Sequence, residues 1–166
     1  MDGKYVWCGR DRWLVLQNVV DCCTSEWLGY WFDKRYRKHE VVQLVEKVAL
    51  ARWPQTGRAP GTRMRMDNLR AYASDHVVDT AERLGFQVEF IKNHTPEDNG
   101  MVESFHSSLD RDYLNQVEFE SRAEAEAYLA WAFHDHNEVK PKERLGWRTP
   151  REFHKLVTEN ANKNES

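Results

Sequence analysis

Hydrophobic and polar residues alternate in five short runs along the first 91 residues, and this period of two is typical of strands. The runs cover residues 4–8, 13–20, 27–32, 62–66 and 87–91. Short polar segments separate the first three runs, and the first segment contains a glycine, which favours hairpins. The pattern therefore predicts an antiparallel meander of three strands, followed by two further strands.

Other segments carry apolar residues at intervals of three and four, which predicts helices. The first covers residues 39–52 and precedes a loop rich in proline and glycine. A second helix covers residues 74–84, with Ser74 as its N-cap and Gly85 as its stop. A third begins near residue 102 and continues to Tyr113.

Two capping boxes predict the start of the last two helices. Residues 121–124 open a helix through about His136, and residues 149–152 open one through Val157, with proline at its first position. Residues 158–166 are polar and are expected to fray. At 166 residues the chain is one α/β domain, residues 1–157, with a five-stranded mixed sheet flanked by helices and a polar C-terminal tail.

Three acidic residues stand where such a fold exposes functional groups. Asp67 follows the fourth strand, Glu103 lies early in the third helix, and Asp2 opens the first strand. Thirty-five residues separate Asp67 from Glu103. Taken singly, Asp67 is an ordinary turn residue and Glu103 an ordinary surface acid that complements the helix dipole. Taken together, three carboxylates are ligands that can hold two divalent cations about 3.5–4 Å apart.

The residues around these acids resemble a known family. Residues 96–105, PEDNGMVESF, are similar to the Pro-x-x-(Asn/Gln)-Gly-x-Val-Glu-Ser signature of the integrase core domain, which retroviral integrases and insertion-sequence transposases share. Residues 66–68, Met-Asp-Asn, resemble its strand-end Asp-Asn, and the 35-residue gap is the family's usual one. Residues 2–6, DGKYV, resemble its opening Asp-x-Thr-Tyr-Ile, with Lys4 in place of the usual threonine.

A fourth match lies near the other end of the chain. Residues 140–153, KPKERLGWRTPREF, resemble the tail Arg-Pro-His-x-x-Leu-Gly-x-x-Thr-Pro-x-Glu-Phe of insertion-sequence transposases. Four separate matches occur in the family's order and cover almost the whole chain. Their joint occurrence is far more specific than any one motif.

This resemblance implies the ribonuclease H-like fold, in which the first and fourth strands are neighbours and bring Asp2 beside Asp67. It also implies a polynucleotidyl transferase that cleaves and joins DNA strands in DNA integration, recombination and transposition. The implied cofactor is a pair of Mg²⁺ or Mn²⁺ ions. Asp2 would bridge both ions, Asp67 would complete one site and Glu103 the other.

The charge is distributed unevenly, which bears on a DNA partner. Residues 1–66 carry 12 Lys and Arg against 7 Asp and Glu, residues 67–138 carry 5 against 16, and residues 139–166 carry 7 against 4. Basic ends can meet phosphates and an acidic middle can bind metal, although a solvated surface with uneven charge is an equally good interpretation of the charge alone. We expect DNA contacts from seven residues: Asn68, Asn99, Ser107, Lys140, Lys142, Arg144 and Arg148.

Three neighbours of the acids are weaker candidates. His94 and His106 flank the expected site, and structural or solvent-facing roles are favoured for both. Asp110 lies on the same helix as Glu103, on a face that meets DNA in the family, but its negative charge would repel phosphate.

Composition bounds the remaining expectations. No apolar run reaches the ~20 residues of a membrane span, and no charged-then-apolar leader precedes the fold, so a cytoplasmic, non-secreted protein working with DNA is expected. Three cysteines without metal-ligand spacing are interpreted as small buried residues in a reducing compartment.

The partners expected are DNA and a second copy of the chain in a dimer. The resemblance begins at Asp2, so the domain is expected to work without a DNA-recognition domain of its own, and a separate DNA-binding subunit is a further candidate partner. Two rival functions stay open: a non-catalytic transposase remnant that acts as an interaction or inhibitory subunit, and a stand-alone nuclease with the ribonuclease H-like fold.

Overall fold

A computed structural model of the protein describes residues 1–67, 71–91 and 100–164, without the side chains of residues 162 and 164. Strands and helices follow in the order that the sequence pattern predicts. Their bounds are β1 Asp2–Cys8, β2 Arg12–Val20, β3 Trp27–Asp33, α1 Lys38–Arg52, β4 Arg63–Met66, α2 Asp75–Arg83, β5 Gln87–Phe90, α3 Gly100–Asp112, α4 Arg122–His134 and α5 Pro150–Asn164.

The five strands form two hydrogen-bonded sheets. Strands β1, β2 and β3 are the expected antiparallel meander, in which Asp2 pairs with Asn18, whereas β4 and β5 form a parallel pair. The N-terminal ammonium of Met1 donates a hydrogen bond of 2.8 Å to the carbonyl oxygen of Arg65. The α/β class is confirmed, but the expected single sheet is divided. The contact between the two sheets lies at the beginning of β1, which is where Asp2 lies.

The meander lies between two hydrophobic cores. Because successive strand residues point to opposite faces, Leu14 and Leu16 turn towards α3 and α4 and are fully buried there. Trp27 is the largest side chain of that core, and its ring packs against Phe105 at 5.5 Å and Phe133 at 5.2 Å. Helices α1 and α2, with β4 and β5, build the second core from aliphatic side chains and Tyr72. The cores hold α3 and β4 near the start of β1.

Local signals explain most helix ends. The predicted box of α5 is confirmed, since Thr149 N donates to Glu152 Oε2 at 2.9 Å and Glu152 N donates to Thr149 Oγ1 at 3.2 Å. Gly85 ends α2 with a φ of +88°, and an added Cβ would lie 2.0 Å from the carbonyl oxygen of Ala59. Ser74 is the N-cap of α2, but its hydroxyl makes no capping bond and is buried without a partner in the described structure.

Two helix ends differ from the expectation. The α-helical part of α4 ends at His134, and a π-helical turn, Asp135–Val139, follows it. Helix α5 continues to Asn164 instead of fraying after Val157, because no proline or glycine interrupts residues 158–164. The tail that was expected to be irregular is therefore helical to residue 164, although it is exposed wherever its side chains are described.

The π-helical turn fixes the beginning of β3. Asn137 accepts a hydrogen bond from Trp27 N through Oδ1 and donates one to Trp27 O through Nδ2, both at 2.9 Å. His136 is buried with its Nε2 3.0 Å from the carbonyl oxygen of Ser25. Burial, together with the nearby charge of Lys142, lowers the pKa of His136 to about 4.

The prediction that the cysteines are buried is confirmed for Cys8 and is wrong for Cys22 and Cys23. All three are free, and Cys8 is buried in the core beneath β1, where burial raises its pKa to about 11. Cys22 and Cys23 are exposed, because they occupy the turn after β2 in which Asp21 Oδ1 accepts hydrogen bonds from the backbone N–H groups of Cys23 and Thr24.

Candidate active site

Asp2 lies at the junction of three elements. It is the first residue of β1, half-buried, with one carboxylate oxygen accepting a 2.8 Å bond from Gly3 N. Its other oxygen lies 3.8 Å from Nδ1 of His106 on α3. Nε2 of the same ring lies 3.2 Å from Nδ2 of the fully buried Asn18, which is the β2 partner of Asp2. The imidazole therefore sits between Asp2 and the strand behind it.

Asp67 directly follows β4 and is half-buried. The negative charges of Asp67 and Asp2 both affect the pKa of the Tyr72 hydroxyl. Burial raises the pKa of Tyr72 most, the neighbouring Tyr36 adds to the increase, and the negative charges of Asp2 and Asp67 raise it further. The hydroxyl donates a hydrogen bond to Oε1 of the buried Gln17. Both carboxylates therefore influence the same buried hydroxyl, although β1 and β4 belong to different sheets and are not the paired neighbours that the resemblance implies.

Glu103 is exposed in the first turn of α3, where its charge complements the helix dipole. His106 follows it by three residues, and side chains at this interval are neighbours on a helix surface. Because His106 contacts Asp2, Glu103 lies one turn from the contact between α3 and β1. Phe105 and Leu109, on the buried side of the helix, fix it against the core.

A second contact between α3 and β1 is an ion pair. Lys4 Nζ donates to Asp110 Oδ1, and both side chains are partly buried. Lys4 stands where the family motif usually has threonine, and Asp110 is the acid whose negative charge was expected to repel phosphate. Their pairing cancels that charge and ties the C-terminal half of α3 to β1, beside the contact between Asp2 and His106.

The described carboxylates do not form a closed metal site. Among residues 1–67, 71–91 and 100–164, no three His, Cys, Asp or Glu side chains are placed to hold a metal ion together. The donor chemistry nevertheless fits Mg²⁺ or Mn²⁺, since carboxylate oxygens are the ligands these cations prefer. Asn18 adds a buried Oδ1 without a hydrogen-bond partner in the described structure, next to Asp2.

The basic run that was expected to contact DNA forms a closed loop beside α3. Lys142 N donates to the carbonyl oxygen of Arg148 at 3.0 Å, and the buried Leu145 anchors the loop. Lys140 Nζ lies 2.9 Å from Asp112 Oδ2 and 5.4 Å from the ring centroid of Tyr113. The loop is therefore attached to the C-terminal end of α3.

A cavity of about 290 Å³ lies between this loop and α3. Four cations line it: Arg111, Lys140, Lys142 and Arg144. Burial lowers the pKa of Lys142, and the charges of the other three cations lower it further, while Asp112 opposes them. Ser104 and Ser108 line the α3 side of the cavity. Two acids, Asp112 and Glu143, also line the cavity, and Asp112 pairs with Arg111 and Lys140, so the lining carries an excess of two positive charges.

The other expected DNA contacts are placed only in part. Ser107 is exposed on α3 and does not line the cavity. Ser104 and Ser108, one turn apart, point towards the cavity, and Ser107 lies beside this face of the helix. Arg148 is exposed, with Nη1 3.5 Å from the carbonyl oxygens of Leu145 and Gly146. Three residues named in the sequence analysis lie outside the described residues: Asn68, His94 and Asn99.

Comparison with protein families decides the identity of the domain. Two models of the integrase core domain match the chain, one over residues 1–96 and the other over residues 84–150. The chain belongs to the integrase core domain family. The family resemblance expected from the motifs is therefore confirmed.

This integrase core domain is similar to curated transposases. It is 29% identical over 153 residues to the putative transposase InsD of insertion element IS2E from Escherichia coli strain K12, covering 92% of the chain and 70% of that relative. It is also 29% identical over 153 residues to transposase InsD of insertion element IS2A/D/F/H/I/K from Escherichia coli, covering 92% of the chain. The chain spans 51% of the length of this second relative.

Solved structures share the fold at lower identity. A chain of the simian T-cell lymphotropic virus intasome aligns with a TM-score of 0.64 at 18% identity, covering 85% of this chain and 48% of that one. The catalytic core of BIV integrase aligns with a TM-score of 0.58 at 16% identity, covering 100% and 96%. The Mos1 transposase catalytic domain aligns with a TM-score of 0.60 at 18% identity, covering 80% and 68%. These likenesses confirm the ribonuclease H-like fold.

Sequence reasoning missed several residues of the site. Asn18, Gln17 and Tyr72 carry no motif, and only the strand register and the packing of the second core place them near the carboxylates. Ser104 lies inside the signature motif but was not singled out, and Ser108 could have been found, since it follows Ser107 on the same helix.

A search of the helices in the described part of the chain finds none with the length and hydrophobicity that a membrane span requires.

Proposed function

We propose that this integrase core domain is the catalytic core of an insertion-sequence transposase, which cleaves DNA and joins strands. The observation that carries the proposal is the family match over residues 1–96, which contains Asp2 and Asp67 on neighbouring elements. The second match, over residues 84–150, contains Glu103 and the whole basic loop, residues 140–148. The name of the relatives, transposase InsD, supports the same activity.

Asp2, Asp67 and Glu103 are the residues that would hold two Mg²⁺ or Mn²⁺ ions. When bound, such ions activate a water or a DNA 3′-hydroxyl as nucleophile and stabilise the leaving oxygen. One structural neighbour, the Mos1 transposase catalytic domain with raltegravir, was solved with Mg, which supports the choice of cation.

The protein's own residues hold these carboxylates in place. The pair Asn18 and His106 fixes one side of Asp2, and the Lys4–Asp110 ion pair keeps α3, with Glu103 in its first turn, against β1. Tyr72 stays neutral because burial and two nearby carboxylates raise its pKa, so it stabilises Gln17 and adds no negative charge to the site.

DNA would be held by the basic loop. Its cations converge on the cavity beside α3, so a phosphate in that cavity would meet several positive charges at once. Such contacts carry no sequence information, so we expect this domain alone to bind DNA without sequence preference. Recognition of a particular sequence would then depend on another domain or a separate subunit.

The test is a nicking and strand-transfer assay on supercoiled plasmid in Mn²⁺. Asp67→Asn and Glu103→Gln keep the size of each side chain but remove the charge that attracts the cation, so both variants should fall to background. The matched controls are Asp79→Asn, an acid of α2, and Glu159→Gln, an exposed acid of α5, and both should keep wild-type activity. Circular dichroism checks that every variant is folded.

Three results distinguish the proposal from its rivals. A Glu103→Gln variant with the wild-type rate would refute the assignment of this residue. Cleavage without joining would indicate a nuclease with the same fold. A wild-type protein that folds and binds DNA but neither cleaves nor joins it would favour a non-catalytic interaction subunit.

A further inference from the structure

Three aromatic side chains at the far end of the meander have no role in the site described above. Tyr5, Trp7 and Trp13 are 69%, 49% and 59% exposed, although aromatic residues normally supply large buried areas. The rings of Trp7 and Trp13 pack edge to face across the β1–β2 pair with centroids 5.3 Å apart. Tyr5 lies on the same face of β1, two residues from Trp7.

The core helices leave this part of the sheet uncovered. Helix α1 packs on the same face beside β3, where Gly29 lets Val48 and Leu44 approach. It does not cover the β1–β2 hairpin, whose aromatic rings remain exposed. Cys8, at the hairpin tip, is six strand steps from Asp2, or roughly 20 Å at about 3.4 Å a step, whereas Tyr5 is three steps away, or roughly 10 Å. Trp7 and Trp13 therefore lie well away from Asp2.

Exposed cations surround these rings. Arg10 and Arg12 lie at the tip of the hairpin, and the segment directly after β3 supplies two more cations, Lys34 and Arg35. An ion pair of 3.4 Å between Lys34 Nζ and Asp11 Oδ1 holds the two segments together. Asp33 is 3.0 Å from the guanidinium of Arg122. Two further acids, Asp110 and Glu118, line a cavity with Tyr5 and Trp7 at the edge of β1, and Asp110 is paired with Lys4. The three aromatic rings and these four cations form the aromatic–cationic surface.

We infer that the aromatic–cationic surface binds single-stranded DNA. Unpaired bases stack on exposed aromatic rings, and the neighbouring cations meet the phosphates. Duplex DNA hides the faces of its bases and would use the cations alone. The choice of DNA over RNA rests on the proposed function, in which DNA strands are cut and joined.

Charge argues against a second copy of the chain as the occupant. A symmetric dimer places the same patch of both copies face to face. Here that arrangement would bring four cations of one copy against four of the other, and like charges repel. A polyanion with exposed bases complements both features of the surface.

The experiment measures the fluorescence anisotropy of a labelled oligothymidylate with the full chain in EDTA. Trp7→Ala and Trp13→Ala should each weaken binding about tenfold, because the stacking surface for a base is lost. Trp7→Phe and Trp13→Phe keep an aromatic ring and should retain most of the affinity. Trp131→Ala, a matched exposed tryptophan on α4, should leave the affinity unchanged. Binding to a duplex of the same length should be equal in all these variants.

Three outcomes would overturn the inference. Equal affinity of Trp7→Ala, Trp13→Ala and wild type for oligothymidylate would remove the stacking role. If Trp7→Ala and Trp13→Ala lose self-association in analytical ultracentrifugation but still bind oligothymidylate, the surface would belong to a second copy of the chain. Tighter binding of oligouridylate than of oligothymidylate would assign it to RNA. Because EDTA removes metal chemistry, a failed cleavage assay leaves this measurement unaffected.

Discussion

At the scale of single residues, His136 couples the packing of α4 to pH. Its ring is buried against β3, and its pKa of about 4 lies well below the ordinary histidine value of 6.5. Below pH 6.5 the unfolded chain therefore binds a proton at this position that the folded chain does not bind. The contribution to stability is complete above pH 6.5 and is lost as the pH falls towards 4.

We predict that His136 alone makes the protein about 2 kcal/mol less stable at pH 5 than at pH 7. The substitution His136→Gln keeps a donor for the carbonyl oxygen of Ser25 and removes the titration. Urea unfolding at both pH values should show a smaller loss for the variant than for wild type. His106 and His154, whose pKa values burial also lowers, contribute to both proteins alike. Equal losses in the two proteins would contradict the role of His136.

The residues around Asp2 show which parts of the site the sequence could predict. Sequence motifs predict Asp2, Asp67 and Glu103 as site residues, because acids at the ends of strands and at the start of a helix are visible in a single chain. Asn18 and Tyr72 lie outside these motifs, and only tertiary packing brings them to the carboxylates. Local patterns carry no information about such contacts.

At the scale of elements, α3 and the basic loop form one unit. The loop is fixed by the Lys142–Arg148 bridge and by the ion pair between Lys140 and Asp112, so its cations are held in position before any ligand arrives. Helical periodicity predicted α3 well, since Phe105 and Leu109 face the core. The contact between α3 and the loop was not predicted, because tertiary contacts set the position of the loop.

We predict that replacing Lys140, Lys142 and Arg144 by glutamine lowers the slope of log affinity against log salt by about one unit per lost phosphate contact. The reason is that each contact releases counterions from DNA. Binding to a duplex at several salt concentrations measures the slope. Lys155→Gln, a cation of α5, is the control and should keep the wild-type slope. An unchanged slope in the triple variant would place the phosphates elsewhere.

At the scale of the whole molecule, two cores on opposite faces of the meander bring distant parts of the chain together. One core presses α3 against β1, and the other holds β4 beside the start of β1. The strand order of the meander followed from alternation and short turns. The division into two sheets could not be predicted in this way. The sheets meet through a contact between Met1 and Arg65, which are 64 positions apart in the chain, and local sequence patterns carry no signal for such a contact.

The central claim is that carboxylates from β1, β4 and α3 form one metal site, and a thermal-unfolding titration with Mn²⁺ tests it most directly. Metal that binds only the folded state raises the melting temperature with concentration, and it also relieves repulsion between the acids. We predict a concentration-dependent rise for wild type and for the control Asp79→Asn, and a flat response for Asp67→Asn and Glu103→Gln. A rise of the same size in Asp67→Asn and Glu103→Gln as in wild type would contradict the claim.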